Sequence, residues 1–198
     1  ILGGSGVRTF PSSTILLRRF LGLSLFSFRL CLLCKRSRQF GFNVSAIYAP
    51  ESNPIMLELM LDLRKSFGET LIPADAGPRP LIKELQAGHS IIMAMDTRPE
   101  TGKLIPFFGR DALTNASAAG LALRTGSALV VSRAERLPDA RYRVTVYDPL
   151  VSPIPNAPVK EQAVALTAIV HRYFEEWITE YPQQWVCLKR RWPKPRKL

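Results

Sequence analysis

At 198 residues and 46% hydrophobic content, the chain is long enough for one domain with a real core and has the composition of a globular protein. Its formal charge of +11 is unevenly placed: residues 1–40 hold seven basic and no acidic residues, residues 189–198 six basic and none acidic, and residues 41–188 fourteen basic against sixteen acidic. A near-neutral body with basic ends argues against a nucleic-acid-binding module, whose basic patch sits on the docking face. It fits an anionic membrane surface better, with charge for solubility as the plainer alternative.

In chain order, Ile15 to Leu33 is a greasy window close to the ~20 residues of a membrane span. Arg18, Arg19 and Arg29 lie inside it, and a central arginine costs roughly 2.5–3.5 kcal/mol on insertion scales. The window therefore reads as an interfacial anchor with snorkelling arginines rather than a clean span. Cys31 and Cys34 have C-x-x-C spacing without a second Cys/His pair, and Cys187 is distant, so neither a structural disulfide nor a metal site is expected.

Val44 to Tyr48 predicts a strand. Asn53 is a good N-cap and Pro54 a good first helical residue for an amphipathic helix over Ile55 to Phe67, striped by Ile55, Leu59, Leu63 and Phe67. Leu71 to Pro73 predicts a brief strand. Pro78 to Gln86 predicts a short helix with Leu81, Ile82 and Leu85 inward.

Ile91 to Met95 is an apolar run that ends in Asp96, read as a buried strand with a carboxylate at its C-terminal end. A polar loop follows, then the aromatic stretch Leu104 to Gly109. Thr114 is expected to cap a small-residue helix running to Arg124, with Gly126 as its C′ glycine, and Leu129 to Ser132 is the next strand. Strand, loop, helix, strand is a βαβ unit and implies a parallel sheet. Ligands in open α/β sheets bind beyond the carboxyl ends of strands, which makes Asp96 a candidate site residue. A loop carboxylate capping a turn is the plainer alternative.

Arg141 to Tyr147 alternates as an antiparallel edge strand, and Lys160 to Tyr181 is the longest helix. His171 lies one turn before Glu175, where a surface ion pair is the expected role. Trp185, Lys189, Arg190, Arg191 and Trp192 place tryptophan among cations, which suits either a membrane interface or cation–π packing within the fold.

Three separated motifs in this order resemble the bacterial lipid A biosynthesis acyltransferases. They are I-Y-x-P-x-x-N-P at Ile47 to Pro54; the strand ending in Asp96 with P-F-F-G at Pro106 to Gly109, the Thr114 helix and L-A-x-R-T-G at Leu121 to Gly126; and W-I at Trp177, P-x-Q-W at Pro182 and R-R-W at Arg190. The resemblance covers about Gln39 to Lys194. It implies a mixed, mostly parallel α/β sheet flanked by helices, with a long C-terminal helix, in an incomplete acyltransferase-like domain over 39–198. Residues 1–38 stay outside it, as a membrane anchor or as sequence from another reading frame.

The resemblance further implies transfer of a fatty acyl chain from acyl-acyl carrier protein to a hydroxyl of a lipid A precursor, at the cytoplasmic face of the bacterial inner membrane. No cofactor is implied. Asp96 matches a supporting acidic residue. Asn53, Phe107, Phe108, Gly109, Arg110 and Thr114 match positions expected to bind substrate. Family members use a His-x4-Asp pair as the base, placed before Gln39, whereas residues 1–40 contain no histidine and no acid. His89 cannot replace it, because the position four residues on from it is Ala94. Ala49 also stands where the family carries an arginine thought to hold a substrate phosphate. The expectation is therefore an acyltransferase scaffold with impaired turnover; a non-catalytic, membrane-peripheral protein that binds lipid or a partner is the alternative.

Overall fold

Short apolar runs separated by helices have one economical arrangement, a sheet buried on both faces. A computed structural model of the chain describes residues 20–24, 41–65, 70–96, 99, 101–139, 141–185, 187 and 190–193. Its strands are β1 (Phe20–Ser24), β2 (Val44–Tyr48), β3 (Thr70–Pro73), β4 (Ser90–Ala94), β5 (Lys103–Phe107), β6 (Arg110–Thr114), β7 (Ala128–Arg136) and β8 (Tyr142–Val146). Its helices are α1 (Pro54–Lys65), α2 (Pro78–Gln86), α3 (Ser117–Thr125) and α4 (Val159–Glu180), followed by a 3-10 turn at Pro182–Gln184.

The main sheet has the order β3-β2-β4-β1-β7-β8. The first five strands in that order run parallel, and β8 closes the edge antiparallel to β7. This is the expected mixed, mostly parallel sheet with a long C-terminal helix. Within the N-terminal segment set apart by its composition, Phe20–Ser24 forms the strand between β4 and β7, with Leu21 opposite both Ile91 and Leu129. The other readings made on that segment, including Cys31 and Cys34, fall outside the described residues. Among the described residues, no helix is long and apolar enough to cross a membrane.

Alternation along each strand divides the core. Ile91, Leu129 and Val131 face the helices and pack with Leu85 of α2, Ala118, Ala119 and Ala122 of α3, and Leu166, Val170, Phe174 and Trp177 of α4. Ile92 and Val130 face the other way, with Val44, Ala46 and Ala134. Helix α3 can lie close to α4 because its buried face is alanine. It stops at Gly126, whose left-handed φ of 64° supplies the expected C-terminal cap.

Helix α1 starts as expected: the Asn53 side-chain oxygen accepts hydrogen bonds from the Ile55 and Met56 amides at 3.0 and 3.3 Å. It ends at Lys65, and Phe67 lies outside the described residues. Its apolar stripe is turned to solvent: Ile55 is 77% exposed, and Met56, Leu59 and Leu63 are exposed with it. Leu57, Met60, Leu61 and Arg64 take the half-buried side instead. The helix is apolar on both faces, so periodicity alone could not choose the inner one.

Candidate functional site

Asp96 lies two residues beyond the C-terminal end of β4, in the interior of the sheet. It is only 9% exposed, and its Oδ1 accepts no hydrogen bond from any described residue. Burial pushes its carboxyl from an ordinary 3.8 to about 7, against the opposing pull of its own backbone N–H and the positive charge of Arg191. A carboxylate so placed is costly.

The aromatic stretch is a β-hairpin rather than a loop. β5 and β6 pair antiparallel, with Phe107 opposite Arg110. The two-residue turn between them is Phe108-Gly109, both with positive φ (52° and 67°), the backbone hand that matches strand twist. Ile105, Phe107, Ala112 and Thr114 point inward in alternation. Thr114 is therefore the last residue of a strand and not a helix cap. The N-cap position is Ala116, whose carbonyl accepts from the Gly120 amide, and the preceding Asn115 Oδ1 accepts from the Ser117 amide at 2.8 Å. At the base of the hairpin Gly102 lies against the Thr114 backbone: a Cβ built there would meet the Thr114 carbonyl oxygen and sit 2.8 Å from its carbon.

Helix α4 and the C-terminal tail hold this hairpin. Glu175 Oε1 accepts from the Phe108 amide at 2.6 Å. His171, expected at the surface beside Glu175, is 1% exposed. Its Nδ1 lies 2.8 Å from the Pro106 carbonyl and its Nε2 lies 3.2 Å from Arg191 Nη2. Desolvation lowers its pKa from 6.5 to about 4, with the Pro106 bond opposing and Arg191 adding to the fall. It is a neutral imidazole that donates from Nδ1 and accepts at Nε2.

Arg191 is 2% exposed. It donates to the Leu113 carbonyl at 2.6 Å and to Thr114 Oγ1 at 2.7 Å. Its guanidinium lies 5.2 Å from the centre of the Phe107 ring. Trp192 stacks on the same ring at 5.7 Å and donates from Nε1 to the Phe107 carbonyl at 3.1 Å. Of the two expectations for the tryptophan–cation tail, the structure has packing within the fold: Arg191 makes a cation–π contact with Phe107, and Trp192 stacks on the same ring. Arg191 was missed as an individual residue; its signal was a basic residue directly before a tryptophan.

Next to Asp96 runs a groove of about 1120 Å³. Met95 and Pro99, on either side of Asp96, both line it. Its walls are Leu81, Ile82 and Leu85 of α2, Met93 of β4, Leu121 of α3, and Ala163 and Val164 of α4. Lys103, Arg124 and Lys160 also line it. Among the described residues on its lining, Asn53, Phe107, Phe108, Gly109, Arg110 and Thr114 do not occur. Asn53 caps α1, Phe107 and Thr114 are buried under the tail, and Phe108, Gly109 and Arg110 are exposed at the hairpin tip. The structure thus gathers the hairpin residues into one packed unit and leaves Asn53 apart from it.

His89 belongs to the other end of the sheet. It precedes β4, whereas Asp96 follows it, a separation on the order of 20 Å along an extended chain. Its Nδ1 lies 2.9 Å from Glu84 Oε2, which also accepts from Ser45 Oγ at 2.6 Å. The Ser45 bond holds the Glu84 carboxyl below its usual range, with a smaller contribution from His89.

The family model for bacterial lipid A biosynthesis acyltransferases matches residues 33–194. No curated protein matches the chain at a significant level.

Proposed function

The chain belongs to the bacterial lipid A biosynthesis acyltransferase family, and we propose that its groove takes the acyl chain of a transfer reaction that this chain carries out only slowly. In this reading the donor is an acyl-acyl carrier protein and the acceptor a hydroxyl of a lipid A precursor, at the cytoplasmic face of the inner membrane. The observation that supports it is a long apolar groove at the C-terminal end of β4, beside the buried Asp96.

Transfer from a thioester to a hydroxyl needs a base that takes the hydroxyl proton. The chain has two histidines. His171 has both ring nitrogens engaged within the core, and His89 lies at the opposite end of β4 and pairs with Glu84. Neither can work beside Asp96. A missing general base costs about 10²–10⁴-fold in rate. Purified protein given radiolabelled lauroyl-acyl carrier protein and an under-acylated lipid A precursor should therefore turn over about 10²–10⁴-fold more slowly than a family member that carries His-x4-Asp. Turnover within about tenfold of that enzyme would refute the impairment, since a tenfold rate difference is only ~1.4 kcal/mol of barrier.

The exposed stripe of α1 favours a second reading, a membrane-peripheral lipid-binding protein without catalysis. Sedimentation with anionic liposomes in the absence of any acyl transfer is its expected signature. Failure to sediment removes it.

A further inference from the structure

The C-terminal tail is fixed to the β5–β6 hairpin through an arginine that depends on an uncharged histidine. Arg191 donates to the Leu113 carbonyl, to Thr114 Oγ1 and to His171 Nε2, at 2.6, 2.7 and 3.2 Å. Beside it Trp192 covers the Phe107 ring and donates to the Phe107 carbonyl. His171 can accept from Arg191 because its ring proton sits on Nδ1, donated to the Pro106 carbonyl at 2.8 Å. A second ring proton would remove that acceptor and set two cations 3.2 Å apart, both almost fully buried.

Among the described residues that face the imidazole, the neighbours are neutral or already committed. β5 presents the Pro106 carbonyl and the Phe107 ring, whose centre lies 4.9 Å from that of His171. β6 presents Thr114 Oγ1 at 3.4 Å, a hydroxyl whose own proton goes to the Ala112 carbonyl. On α4 itself Arg172 is exposed, and Glu175 is engaged by the Phe108 amide. Asp96, at the end of β4, interacts electrostatically with Arg191, but burial keeps its carboxyl protonated below about pH 7.

From this cluster we infer that the tail is an acid-released latch: proton uptake by His171 undocks residues 190–193 from the hairpin while the sheet stays folded. Burial, opposed by the Pro106 bond and reinforced by Arg191, lowers the docked imidazole from 6.5 to about 4. An imidazole returned to solvent binds its proton more tightly, so falling pH favours release, by up to about 300-fold once pH is below 4. Gly102 and Lys103, at the base of the same hairpin, line the groove. The latch therefore acts on one edge of the groove, and it does not depend on acyl transfer.

Fluorine NMR of the full chain labelled with 5-fluorotryptophan tests this. Trp192→Phe assigns the tail signal, and Trp177, buried in α4, reports on the core. As pH falls from about 6.5 to about 3.5, the Trp192 signal should move to the position of a solvent-exposed indole while Trp177 keeps its native one. Its midpoint should coincide with the titration of the His171 ring, told from His89 by the H89Q variant. Simultaneous change of both tryptophans would mean global unfolding and overturn the latch, as would a Trp192 signal still native at the acid end. H171Q, which can donate to Pro106 and accept from Arg191 at every pH, should keep Trp192 docked throughout; release at the wild-type pH would refute the inference. If H171Q does not fold, the wild-type midpoints decide: a Trp192 transition that departs from the His171 titration refutes it. E175Q keeps an acceptor for the Phe108 amide and should leave the midpoint in place; a shift of about one pH unit or more would put the trigger at Glu175 instead.

Discussion

Asp96→Asn isolates two buried groups whose effects on stability oppose each other. Folding raises the Asp96 carboxyl from 3.8 to about 7. Between about pH 4 and 7 the folded chain keeps a proton there that the unfolded chain has released, so stability falls as pH rises. Folding lowers His171 from 6.5 to about 4. Between about pH 6.5 and 4 the unfolded chain holds a proton that the folded chain lacks, so this group makes stability rise with pH. At ~1.4 kcal/mol per pH unit the two effects amount to about 4 and about 3 kcal/mol. Over pH 4 to 6.5 these two contributions nearly cancel in the wild type. Of the two, the D96N variant keeps only the histidine slope. Its stability should climb by about 3 kcal/mol from pH 4 to 6.5, and its advantage over wild type should grow by about 4 kcal/mol between pH 4 and 7, then stay constant. A buried amide without partners subtracts about 1–3 kcal/mol at every pH and leaves the slope untouched. Urea unfolding of both proteins at pH 4, 5, 6, 7 and 8 measures the difference. Parallel curves would refute the assignment of a desolvated carboxyl to Asp96.

Two substitutions probe the hairpin. Gly102→Ala places a methyl group against the Thr114 backbone, which a flexible side chain cannot relieve; it should lower stability by about 1–3 kcal/mol, and an unchanged urea midpoint would mean that β5 and β6 do not close as described. Arg191→Ala removes the donor to the Leu113 carbonyl, to Thr114 Oγ1 and to His171 Nε2 and empties the space over Phe107. A loss of about 3–5 kcal/mol is expected, read by tryptophan fluorescence during unfolding, and a loss below about 1 kcal/mol, the worth of an ordinary hydrogen bond, would show that the tail is not anchored there.

The parallel sheet was legible because Val44 to Tyr48, Ile91 to Met95 and Leu129 to Ser132 are short apolar runs between helix signals. The place of β1 was not. Phe20–Ser24 is embedded in a longer Leu/Phe-rich window, where a five-residue strand leaves no pattern of its own. The hairpin was hidden by its turn, since Phe108 is a poor residue for positive φ and Asn-Gly is the usual signal. Reading Thr114 as a cap missed because β6 runs through it and the N-cap position falls on Ala116, with Asn115 Oδ1 taking the Ser117 amide. His171 was recoverable: with Thr167, Val170, Phe174 and Ile178 it lies on the buried face of α4, and helical spacing outweighs an i,i+4 charge pair worth ~0.3–0.5 kcal/mol. Asp96 was legible as the acid at a strand end. The groove was not, because its lining is gathered from α2, β4, β5, α3 and α4 and has no local motif.

An Asp96 raised to about 7 invites the reading that it acts as a general base itself. The cause of the shift argues otherwise. Burial is the largest contribution, and the positive charge of Arg191 works against it. A base must come within about 2.6–3.2 Å of the hydroxyl it deprotonates, yet among the described residues of the groove lining Ala94, Met95 and Pro99 occur and Asp96 does not. The Asp96 carboxyl instead shares its surroundings with Arg191, which is anchored to the hairpin through Leu113 and Thr114. Its raised pKa thus reflects where the end of β4 is buried. Asp96 is thus a carboxyl held inside the protein beside the groove rather than a group presented to it.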